Sequence, residues 1–173
     1  MKLPGIYLLY LSITSLTGVM LLISCESLKD DPVYAGTWQC KETITSDNLV
    51  YNTTRTLILT RNTFEEIYVI KRENSPAISA IFGTSGDIRT NHTSYIFILK
   101  ALGTCVKDEM DMCTEEVAFY GPGTSHFDEN IQYYSVEVPC KIEADEFRLR
   151  LVRDLNNDRD TEDQGEDIEF ERI

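Results

Sequence analysis

The stretch Gln132-Tyr133-Tyr134-Ser135-Val136-Glu137-Val138-Pro139-Cys140-Lys141-Ile142-Glu143 decides the fold of this chain. Tyr134, Val136, Val138, Cys140 and Ile142 share one parity, and Tyr133, Ser135, Glu137, Pro139 and Lys141 share the other. A period of two over this length predicts a β-strand with one buried face, because successive side chains of an extended backbone point to opposite sides. Pro139 has no N–H to give to a ladder, so it marks an edge or a bulge.

The same period recurs on both sides. Downstream, Phe147, Leu149 and Leu151 alternate with Arg148, Arg150 and Val152, and Ile168, Phe170 and Arg172 alternate with Glu169, Glu171 and Ile173. Upstream, strands are predicted over 37–45, 51–60, 63–71, 77–83, 94–100 and 116–120, separated by turn residues such as Asp47-Asn48 and Arg61-Asn62. Gly83-Thr84-Ser85-Gly86-Asp87 is read as a glycine-bearing turn. No helical period is found outside the N-terminal segment. About eight to ten strands in meander order predict an all-β fold, an up-and-down antiparallel barrel occupying residues 35–173.

Residues 1–24 have the layout of an export signal: Lys2, an apolar run from Ile6 to Ile23, then small residues. The run approaches the ~20 apolar residues of a membrane-spanning helix. Against spanning, Ser12, Thr14, Ser15, Thr17 and Gly18 dilute it, and no basic cluster flanks it. The formal net charge of the chain is −13, and losing Lys2 with a leader would make the remainder more negative. Such a surface repels phosphate backbones, which excludes nucleic acid as a partner.

Leu21-Leu22-Ile23-Ser24-Cys25 resembles the lipobox of bacterial lipoproteins. The resemblance implies cleavage before Cys25, acyl chains on that residue, and a protein tethered to the cell envelope at the outer membrane. Residues 25–34 would then be a flexible tether, polar up to Pro32. Within it, Lys29-Asp30-Asp31 is similar to the signals that send some lipoproteins of the Bacteroidetes to the cell surface, and reads equally well as a solvated linker. Gly36-Thr37-Trp38 resembles the G-x-W signature on the first strand of lipocalins, and Phe170-Glu171-Arg172 resembles the closing strand of lipocalin-like envelope lipoproteins. This second resemblance implies that Arg172 packs over Trp38, with Gly36 beside them, to close one end of the barrel.

With Cys25 assigned to lipid, Cys40, Cys105, Cys113 and Cys140 remain, an even number that reads as two disulfides in an exported domain. Of three pairings, Cys105–Cys113 with Cys40–Cys140 is favoured: the first closes a polar loop, and the second ties the start of the domain to a late strand. A zinc site is disfavoured, since there is no C-x-x-C and neither His92 nor His126 has ligand spacing. Asp154, Asn156, Asp158 and Asp160 repeat at alternate positions as in calcium-binding loops. Arg159 stands where the loop glycine belongs and Gly165 where the bidentate glutamate belongs, which favours a solvated acidic loop and no bound cofactor.

Catalysis has little support. Ser125-His126 with Asp128 lacks a G-x-S-x-G elbow, and the neighbours Glu65 and Glu66 point to opposite faces of a strand, so neither group makes an enzyme site. The expected function is binding of a small apolar or amphipathic ligand inside the barrel. The alternative is an interaction module with a packed core that presents its loops to an envelope partner or glycan.

Overall fold

A computed structural model describes residues 31–173 apart from 92, 93, 156, 157, 159 and 164. The leader, Cys25 and the tether up to residue 30 lie outside the described residues, as does Asn156 of the acidic loop. The folded unit begins at Pro32. Residues 32–34, expected in the tether, therefore belong to it, and the Tyr34 side chain is already part of the core.

Nine antiparallel strands follow among the described residues: β1 (Gly36–Ser46), β2 (Leu49–Leu59), β3 (Thr63–Arg72), β4 (Ile78–Asn91), β5 (Ser94–Lys107), β6 (Cys113–Tyr120), β7 (Glu137–Ala144), β8 (Arg148–Arg153) and β9 (Asp167–Arg172). The sheet order β4-β3-β2-β1-β9-β8-β7-β5-β6 is closed by the pairing of β4 with β5. Eight strands thus form a closed barrel and β6 is the extra one. Both β6 and β7 pair with the same edge of β5, at Leu102–Lys107 and Tyr95–Ile98 respectively. They occupy one position in the wall in succession, interrupted by residues 121–136. That excursion carries the short helix α1 (Ser125–Asn130) and a 3-10 turn (Ile131–Tyr133).

Inward positions supply the core: Trp38, Leu57, Leu59, Phe64, Phe97, Leu149, Leu151 and Phe170 are all buried in one cluster. Ile81 is buried too but on the outer face. There Phe119 lies over the adjacent Gly83 and Gly103, where added Cβ atoms would stand 2.9 Å from its ring.

Two strand expectations change. The strand over 132–143 is shorter at its start, because Tyr133 to Val136 belong to the excursion and are largely exposed. Val138, Cys140 and Ile142 keep the inward parity. Gly83-Thr84-Ser85-Gly86-Asp87 is no turn: β4 runs straight through it, with a register shift against β5 between Ser85 and Gly86. Pro139 does lie at a local edge. It pairs with Ile96 of β5, while the β8 ladder begins only at Cys140. Its missing N–H therefore leaves no gap on the β8 side.

Cys105 and Cys113 form a disulfide across the β5–β6 hairpin. Cys40 and Cys140 do not pair; both are free thiols. The physical reason is topology. Cys40 is on β1 and Cys140 on β7, with β9 and β8 between them. Three strand spacings of about 4.8 Å far exceed the Cα separation of roughly 7 Å at which bridging fails.

Candidate functional site

One end of the barrel is closed by Gly36, Trp38 and Arg172. Trp38 is fully buried, and its Nε1 donates to the Tyr34 carbonyl at 2.8 Å. The Arg172 guanidinium carbon sits 4.3 Å from the centre of the indole ring, a cation–π contact, and Nη2 donates to the Val33 carbonyl at 2.7 Å. Gly36 adopts a φ of +147°, and a Cβ there would stand 3.3 Å from Arg172 Nη1. This end is filled.

A cavity of about 280 Å³ lies within the barrel, lined by residues of β2, β3, β4, β5, β7 and β8 together with the excursion between β6 and β7. Phe64, Phe97, Leu99 and Val138 give it an apolar lining, and Tyr133, Tyr134 and Ser135 of the excursion pass over it. Phe82 and Tyr133 reach solvent at its rim, 49 % and 77 % exposed. Phe64 and Phe97 stack with ring centres 4.4 Å apart.

Charged groups also line this cavity. Glu66 points inward from β3 and is buried. Arg153, at the end of β8, grips it with two parallel bonds: Nη1 donates to Oε2 at 2.6 Å and Nη2 to Oε1 at 2.7 Å. Arg55 of β2 adds a third, Nη1 to Oε1 at 2.7 Å. Burial pushes the Glu66 carboxyl upward, but the charges and hydrogen bonds of Arg153 and then Arg55 outweigh it and hold the group at about 2. The Arg55 guanidinium stacks on Tyr68, its cross-strand partner, 4.5 Å from the ring centre. Arg153 Nε donates to the Gly165 carbonyl at 3.1 Å. Behind it, Glu166 is fully buried and accepts the backbone N–H groups of Leu155 and Asp163. Nearby, burial raises the Cys140 thiol to about 12, outweighing the Arg153 charge, so it stays a thiol at neutral pH.

The residues singled out by sequence fall in several places. Trp38, Gly36 and Arg172 come together. Cys105 and Cys113 come together on the β5–β6 hairpin and do not line the cavity. Of the acidic loop, Asp158 and Asp160 accept backbone N–H groups from Asp160 and Glu162, two residues on in each case. Among the described residues no group of three or more metal-ligating side chains converges. Arg55, Glu66 and Arg153 were missed as a group, although a signal existed. Each falls on the apolar parity of its strand, with Leu57, Phe64 and Leu151 respectively as its i±2 neighbour. A charged residue on the buried face of a strand needs a partner or a ligand. Comparison with protein-family models and with curated proteins finds no match for this chain.

Proposed function

We propose that this protein is a lipid-anchored lipoprotein of the cell envelope, held at the outer membrane through Cys25, whose β-barrel binds a small apolar or amphipathic ligand without catalysing a reaction on it. The observation that carries the binding half is the cavity: an apolar lining that ends on a few fixed polar groups, the general form of a small-molecule site. Its volume of about 280 Å³ falls just below the ~300–1,000 Å³ usual for such sites, so the ligand is small. The lipobox-like stretch and the leader before it support the anchoring half. Native mass spectrometry of the protein taken from its own host tests the binding reading. The expected spectrum contains an adduct that dissociates on activation, whereas bare protein alone would leave only an interaction module with an empty cleft.

A further inference from the structure

We infer that the cavity takes a single-chain amphiphile with a carboxylate head, received by the guanidinium of Arg55. This rests on the reading of the cavity as a ligand site and names the chemistry of what fills it. Three charged side chains line the cavity, Arg55, Arg153 and Glu66, which leaves one cation in excess. Glu166 does not restore the balance at the cavity surface: it is turned into the β8–β9 loop, and its field falls on Arg153.

Donor counting identifies which arginine is unfinished. Arg153 spends Nη1 and Nη2 on Glu66 and Nε on Gly165. Arg55 spends only Nη1, so its Nε and Nη2 have no acceptor among the described residues, although its side chain is only 14 % exposed. Both donors are still reached by solvent, so an incoming carboxylate replaces water there and gains through a charge-assisted bond. The Nε–Nη2 edge is the fork that matches a carboxylate. The chain uses that same edge elsewhere: Arg150 holds Asp167 with Nε to Oδ1 at 2.9 Å and Nη2 to Oδ2 at 2.6 Å. Stacking on Tyr68 holds the plane of Arg55, so little freedom remains to be lost on binding. From that head an acyl chain would run along Phe64, Phe97 and Leu99 to the rim at Phe82.

The test titrates the full chain, kept in solution by an amphipathic polymer too large for the cavity, with decanoate, decanol and decyltrimethylammonium at neutral pH, followed by calorimetry. A charge-assisted fork predicts decanoate tighter than decanol by about tenfold or more, with the cationic amphiphile weakest. Arg55→Gln should abolish the preference for the acid, and Arg55→Lys should keep part of it. Equal affinity for acid and alcohol, or a preference that survives Arg55→Gln, overturns carboxylate recognition while the cavity remains a ligand site. Binding of none of the three amphiphiles overturns the ligand-site reading itself. If Arg55→Gln does not fold, the headgroup series on the unaltered protein decides alone.

Discussion

Glu66 accepts three guanidinium hydrogen bonds in the wall of a cavity, and its amide separates charge from shape. Glu66→Gln keeps the volume but leaves two poorly hydrated arginines without their common counter-ion. Breaking a buried ion pair from one side costs about 3–5 kcal/mol, and that loss is expected in urea unfolding. The pH dependence has a definite sign. Glu66 is held at about 2 in the folded chain, below the ordinary carboxylate value, because Arg153 and Arg55 overcome the cost of burial. Its stabilisation is therefore complete above the ordinary carboxylate range, near pH 4.3, and is lost as pH falls from there through about 2. The unaltered protein should lose stability across that window and the variant should lose less. Parallel stability–pH curves for the two would show that Glu66 is not the responsible group.

At the scale of elements, the closure of the barrel depends on β4 passing β5 at Gly86. The backbone there is not in the left-handed region, so what glycine supplies is space: a Cβ would stand 1.9 Å from the Ile98 carbonyl oxygen. A backbone atom of a paired strand cannot swing aside as a side chain can. Gly86→Ala is expected to lower stability by about 3 kcal/mol, the upper end for overpacking. Gly121→Ala meets only the Lys100 carbonyl at an ordinary 3.6 Å and should stay within about 0.5 kcal/mol. Equal thermal melts for the two variants would refute this account of the closure. The same glycine shows where sequence reading stops. Alternation exposed β7, β8 and β9 because one face of each is buried, whereas Gly83 and Gly86 look like a turn to any reading by residue type. Only the register of β4 on β5 shows them accommodating Phe119 and a bulge. The helix α1 is too short to establish a period, so it hid in a stretch rich in turn residues. The Cys105–Cys113 bridge joins neighbours in one hairpin and was legible. Ruling out the pairing of Cys40 with Cys140 required knowing that β8 and β9 lie between them. Arg55, Glu66 and Arg153 were legible as buried-face charges one by one, but their meeting came from the order of strands around the barrel.

The barrel divides its labour between a filled end and a hollow part of its interior. The folded unit starts beside Trp38, where Val33 and Tyr34 are bonded to Arg172 and Trp38. The cavity lies elsewhere, under the excursion between β6 and β7. In the proposed anchoring, the attachment point Cys25 precedes the folded unit, which begins at Pro32. Stability and anchoring should then be separable. Each buried methylene of an acyl chain contributes about 0.8 kcal/mol to membrane partition, and lasting attachment takes more than one chain. None of that energy acts on the barrel, whose core is complete from Tyr34 onward. Cys25→Ser is accordingly expected to move the protein from the membrane fraction to the soluble fraction of its host while its melting temperature stays within about one degree, since no buried contact of the folded unit changes. Retention of Cys25→Ser in the membrane with the leader uncut would mean that the apolar run from Ile6 to Ile23 itself spans the bilayer. Release accompanied by a large fall in melting temperature would mean that the lipid is part of the fold.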